Sequence, residues 1–199
     1  MSDNKNEPIP NIKVILLGEK RVGKTNLINA FCDRKFVTDT YSTISPEYSQ
    51  KIIKIDNKKY AIDLWDTAGQ EQYHSMTKIF IKGAQVIIFV YDITEEDSFK
   101  KLNFWFNYVE ELLWEDSIYG LVGNKTDLYD DQRVNANDAQ KFADENGALF
   151  CQTSAKEDQI GFKKYVEKLI KKLIEKNKII SGFGDKLSYE KQGKKGCKC

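Results

Sequence analysis

The stretch "GEKRVGKT", Gly18 to Thr25, constrains this chain more than any other. It fits G-x-x-x-x-G-K-[ST] in full. Before it stands "IKVILLG", a short β-rich apolar run ending in glycine, and after it "TNLINAFCDRKF", with Leu27, Ile28 and Phe31 at helical spacing. A strand that passes through a glycine loop into a helix makes a phosphate cradle. The loop N–H groups wrap a β-phosphate, and the positive end of the helix adds to their pull. Lys24 would bridge the β- and γ-phosphates, and the Thr25 hydroxyl would ligate Mg²⁺. Gly18, Lys20, Arg21, Val22, Gly23, Lys24, Thr25 and Asn26 are therefore candidate nucleotide-binding residues.

The rest of the chain alternates strands and helices. "YSQKIIKID" and "KKYAIDLWD" read as two strands around a turn at Asp56-Asn57. "VIIFVYDI" is a third apolar strand, "SFKKLNFWFNYVEELL" an amphipathic helix and "SIYGLVGNK" another strand. A helix around Asn137 to Glu145 and a short strand at "ALFCQTS" follow. In "GFKKYVEKLIKKLIEK", Tyr165, Val166, Leu169, Ile170, Leu173 and Ile174 share one face, with lysines opposite. This order predicts an α/β fold with a mostly parallel sheet covered on both sides, and ligands beyond the carboxyl ends of its strands.

At 199 residues the chain is long enough for one domain with tails. Its net charge of +1 gives no bulk argument for nucleic acid, and the lysines of the last helix read as a solvated face. Cys32 and Cys151 stand isolated and read as small core residues in a reducing compartment. "MSDNKNEPIP" lacks the apolar core of a signal peptide, and Val86 to Tyr91 is too short to cross a bilayer.

Two further strand ends carry chemistry. Asp66, in "LWDTAGQE", can hold Mg²⁺ through water opposite Thr25. Gly69 offers an N–H to a γ-phosphate oxygen, and Gln70 can orient an attacking water. "GNKTDL" and "TSAK" close two consecutive strands. The Asp127 carboxylate can accept from guanine N1–H and N2–H₂, a donor pair adenine lacks. Asn124 would tie the base loop to the phosphate loop, the Lys125 stem would cover the ring, and the Ala155 N–H would meet guanine O6. Ser154 and Lys156 complete that wall.

Together these residues resemble the Ras superfamily of small GTPases over about Ile12 to Lys178. Within it, "LWDTAGQEQYHSM", "VYDIT", "GNKTDL" and "TSAK" are similar to the Rab family. The resemblance implies a P-loop NTPase fold of Ras type, with six strands and five helices. It divides the chain into a flexible N-terminus at 1–11, a GTPase domain at 12–178 and a flexible basic tail at 179–199. It implies a slow GTP hydrolase that switches between GTP and GDP with Mg²⁺. Phe36 becomes an aromatic edge against guanine, and Thr43 a switch threonine that joins Thr25 and Asp66 at the metal. Ile44, Tyr48, Trp65 and Phe80 become an effector surface.

The tail "KKGCKC" takes its meaning from the same resemblance, which implies geranylgeranyl groups on Cys197 and Cys199. Two lipids anchor stably where one does not, and nearby lysines add attraction to anionic lipid. The implied partners are effectors, an exchange factor, an activating protein and a prenyl-binding escort of the GDI type. The protein would be a monomer on the cytosolic face of endomembranes, cycling with the cytosol. "QYHSM", including His74, leans toward the early endosomal branch.

Two features depart from the family pattern. Lys20 and Arg21 stand where small residues are common, and Ser45-Pro46 alters the first switch. Backbone donors survive the first change. A Lys20 side chain near the γ-phosphate would alter hydrolysis, by lending charge or by crowding Gln70; a Lys20 in solvent would not. Other function classes fit less well. A small kinase would need an acceptor pocket and has no use for "GNKTDL" with "TSAK". A binding-only switch has no use for Gln70, Thr43 and Asp66 together.

Overall fold

The structure is a computed structural model that describes residues 8–38, 47–66, 74–112 and 117–192, with side chains other than those of 74–77 and 178–192. Thr43, Ile44, Ser45, Pro46, Gly69, Gln70, Cys197 and Cys199 lie outside the described residues, as does the side chain of His74.

Six strands form one sheet in the order β2-β3-β1-β4-β5-β6. They are β1 (Asn11–Leu17), β2 (Glu47–Ile55), β3 (Lys58–Asp66), β4 (Val86–Asp92), β5 (Ile118–Asn124) and β6 (Leu149–Gln152). Every neighbouring pair is parallel except β2 with β3. That hairpin turns at Asp56 and Asn57, with φ 47° and 66°, a conformation their short polar side chains tolerate.

Side chains alternate across β1, so Val14 and Leu16 face one core while Ile15 and Leu17 face the other. The first core is closed by α1 (Lys24–Phe31) and α6 (Gln159–Gln192), through Leu27, Ile28, Phe31, Phe162, Val166, Leu169, Ile170 and Leu173. The second is closed by α2 (His74–Ile81), α4 (Leu102–Leu112) and α5 (Ala136–Glu145). There Phe89 and Phe106 stack at 3.7 Å between centroids. β4 is buried over its whole length, as expected for a parallel strand covered on both sides.

The structure differs from the sequence expectation in two places. The helix read from "SFKKLNFWFNYVEELL" is divided into α3 (Glu96–Lys100) and α4 at Lys101, whose ψ of −8° closes a turn. Cys32 and Cys151 are half-buried against the edge of the first core, not inside it. α1 stops at Phe31 because Asp33 turns left-handed, φ 59°.

Asp33 then joins three elements. Its carboxylate pairs with Lys51 on β2 and Lys163 on α6. Hydrogen bonds from Lys163 and then Lys51 lower its pKa from 3.8 to about 2. A carboxylate with a depressed folded pKa stabilises above its unfolded pKa and loses that contribution as pH falls through the folded one. Asp33→Asn is therefore expected to reduce the loss of melting temperature between about pH 6 and about pH 2. Equal losses in mutant and wild type would show that the pairing does not contribute.

Candidate functional site

β1, β3, β4, β5 and β6 run parallel to one another, so their carboxyl ends lie on one side of the sheet. Motifs scattered over more than a hundred residues of sequence meet there for that reason. They enclose a cleft of about 420 Å³ lined by Arg21, Gly23, Asn26, Phe36, Thr38, Asn124, Lys125, Asp127, Leu128, Ala155 and Lys156.

The phosphate loop leaves β1 at Gly18, φ 144°, where a Cβ would stand 2.1 Å from the Val90 oxygen. Gly23, φ 95°, precedes α1, and a Cβ on it would stand 2.3 Å from Asn124 Nδ2. Both glycines are required by close approach as well as by φ. No side chain caps α1, which leaves its first N–H groups facing the loop's hollow.

Lys24 is buried beneath that hollow and donates to the carbonyls of Gly18 (2.7 Å) and Glu19 (2.8 Å). Burial lowers its pKa from 10.5 to about 8, against the pull of Asp66 and Glu19. A phosphate placed there would restore the missing countercharge. The Thr25 hydroxyl donates to Asp66 Oδ2 at 2.6 Å, so the two predicted metal ligands are adjacent. Hydroxyl and carboxylate oxygens suit a hard cation completed by phosphate oxygens and water. The glycine cradle beside them leaves room for those phosphates.

At the base end, Asn124 is buried and bridges two loops. Its Nδ2 donates to Val22 O at 2.8 Å, across 102 residues of sequence, and its Oδ1 accepts from Ala155 N at 3.1 Å. The Ala155 N–H expected to face guanine O6 therefore already has a partner inside the protein. Asp127 Oδ1 accepts from Ser154 Oγ at 2.6 Å, and Oδ2 lies 3.9 Å from Lys156 Nζ. Ser154 Oγ also accepts from the N–H groups of Lys156 and Glu157, which fixes the turn behind the carboxylate. Asn26 does not point its amide freely into the cleft. It accepts from Val37 N and donates to Val37 O, and so holds the strip that carries Phe36 and Thr38 against the opening. Phe36 and Leu128 are exposed at its rim.

Two residues escaped the sequence reading. Asp92, at the end of β4, is buried; its Oδ2 meets Lys125 Nζ at 2.5 Å, and its Oδ1 accepts from Thr94 N and Oγ1. Lys125 itself is left-handed, φ 70°. The signal was available, since "VYDIT" places an aspartate at a strand end as "LWDTAG" does. Glu19 is the second, buried within the phosphate loop and paired with Lys101 at 3.1 Å. Lys20 is exposed and lines an adjoining cleft of about 450 Å³ with Glu19, Glu95 and Asp97; Arg21 and Lys125 line both clefts.

Away from the cleft, Tyr48, Trp65 and Phe80 form one aromatic row, with centroid spacings of 5.3 and 5.2 Å. Tyr48 is exposed and donates to Asp63 Oδ1, while Trp65 and Phe80 are half-buried against the second core. Lys13 Nζ lies 5.3 Å from the centre of Trp65.

A model of the Ras family matches residues 13–175. The chain is 37% identical to the Ras-related protein Rab-2B of Dictyostelium discoideum over 87% of both chains. It is 38% identical to Rab-5A of the same organism over 85% of this chain and 84% of the other. To human Rab-21 it is 37% identical over 82% of this chain and 72% of the other.

Proposed function

The chain belongs to the Ras family, among its Rab-type GTP hydrolases, and we propose that the cleft described above is where it binds and hydrolyses GTP. As a Rab-type GTPase it uses Mg²⁺, alternates between GTP and GDP forms, and acts in membrane traffic with effectors, exchange factors, activating proteins and a GDI-type escort. The observation that carries the site assignment is the Asn124 bridge, because one side chain joins the phosphate loop to the base loop.

In this reading Asp127 selects guanine and Lys125 lies along the ring, held by Asp92. Lys24 meets the β- and γ-phosphates. Thr25, Asp66 and Thr43 hold Mg²⁺, which when bound neutralises phosphate charge. Gln70 orients the attacking water, Gly69 grips the γ-phosphate, and Thr43 does the same from the first switch. Loss of that phosphate releases both switches. Effectors would read Ile44 with the aromatic row of Tyr48, Trp65 and Phe80, whose contiguity supports a single apolar patch.

The GTPase domain would run from 12 to 178, since among the described residues the last α6 side chain in the core is Leu173, with Ile174 at its edge. The N-terminus and the basic tail would lie outside it, with lipids on Cys197 and Cys199. Those two lipids would anchor the protein; among the described residues no helix is long and apolar enough to cross a membrane. The protein would work as a monomer on endomembranes. Its likeness to Rab-5A and Rab-21, with "QYHSM", supports the early endosome.

Single-turnover hydrolysis with GTP or ATP, beside Gln70→Leu, tests the assignment. Slow turnover of GTP alone is expected, falling about tenfold or more in the variant. GTP bound but never hydrolysed would favour a binding-only switch. Equal use of ATP would remove the guanine pocket from the account.

A further inference from the structure

Among the described residues five that are not glycine have positive φ: Arg21 (65°), Asp33, Asp56, Asn57 and Lys125 (70°). Asp and Asn tolerate this region through short polar side chains. Arg21 and Lys125 do not belong to that class. Both are long cations, and both line the nucleotide cleft. A strained backbone of this kind persists where something else over-determines the position.

For Lys125 the reason is visible, because its ammonium reaches Asp92 at 2.5 Å. Lys156, the third cation lining the cleft, has Asp127 at 3.9 Å. Arg21 differs: among the described residues its guanidinium makes no hydrogen bond or ion pair. It is the cleft's cation without a carboxylate, on the loop that would cradle phosphates. Lys20 next to it lines only the adjoining cleft, near Glu19, Glu95 and Asp97. A planar guanidinium offers forked N–H donors that match two phosphate oxygens, which a lysine cannot do.

We propose that the Arg21 side chain binds the diphosphate oxygens shared by GDP and GTP, and that this contact slows nucleotide release. The inference rests on the cleft being the nucleotide site. Because both nucleotides carry these oxygens, Arg21 would not choose between the two switch states. It would lengthen the lifetime of each and deepen the need for an exchange factor.

The test is the release rate of fluorescent GDP from the full chain in Mg²⁺, at low and high salt, for wild type, Arg21→Gln, Arg21→Lys and Arg21→Gly. Release from Arg21→Gln is expected to be about tenfold faster at low salt, with the gap narrowing as salt rises. Arg21→Lys should fall between, keeping charge without the fork. Arg21→Gly should release as fast as Arg21→Gln while melting higher than Arg21→Gln without nucleotide, because glycine accepts φ 65°. That pair separates the side chain's contact from the backbone's strain.

A release rate in Arg21→Gln within about twofold of wild type at both salts would overturn the proposal, because surface substitutions alone change that much. Wild type that fails to hold GDP, or that releases it no faster after Lys24→Met, would instead overturn the reading of the cleft itself.

Discussion

Asp127→Asn is expected to abolish most of the discrimination between GTP and ATP while leaving the fold intact. Asparagine keeps the shape and an oxygen for the Ser154 hydroxyl, 2.6 Å from Oδ1 in the native protein. It replaces the second acceptor with an NH₂ group. Guanine N1–H and N2–H₂ then face a donor, and one buried hydrogen bond becomes a repulsive contact. Sites built on such bonds discriminate by about 10⁴-fold, so GTP affinity should fall by about 10³- to 10⁴-fold while ATP binding, already weak, changes little. Competition between the two nucleotides measures it directly. A variant that retains its preference for GTP would place guanine recognition elsewhere. The melting temperature without nucleotide serves as control, and it should stay within a few degrees of wild type.

The second large effect is expected at Lys24. Methionine is close in shape and carries no charge. In Lys24→Met the carbonyls of Gly18 and Glu19 lose their donor, and the cost of burying an ammonium disappears as well. These changes oppose each other, so the nucleotide-free protein should melt close to wild type. Nucleotide binding has no such compensation. The variant lacks the cation placed for two phosphates, and affinity for GTP and GDP should fall by about 10²- to 10³-fold. The clearest readout is thermal. Wild type should gain melting temperature with added GDP, and the variant should gain little at the same concentration. An equal gain in both would show that Lys24 does not meet the phosphates.

Much of this site was legible because its parts are local. The glycines and Lys24 of the phosphate loop, the aspartate after "LW", "GNKTDL" and "TSAK" each sit at a strand end that apolar runs already mark. The strand order was not legible, since β1 lies between β3 and β4 and neither follows it directly in the chain. Contacts that depend on that order stayed hidden. Asp92 holds Lys125 because β4 and β5 are neighbours, and their ends are paired at Asp92 and Asn124. The Asn26 bonds to Val37 were hidden for a different reason: the intervening turn at Asp33 has no glycine to announce it. Isolation along the chain makes Cys32 and Cys151 look like core residues, because free cysteines usually are, and only packing shows them at its edge.

The sequence by itself determined the class of fold and put "GEKRVGKT", "GNKTDL" and "TSAK" at strand ends, because residue spacing sets local backbone and side-chain types set hydrogen-bonding capacity. Only the tertiary structure decided which of these pieces meet around one cleft. It gave the Ala155 N–H to Asn124, gave Lys125 to Asp92, and left Arg21 without a carboxylate in the cleft. Each of those outcomes is a competition among partners brought together by the sheet, and a partner far along the chain leaves no mark on local spacing.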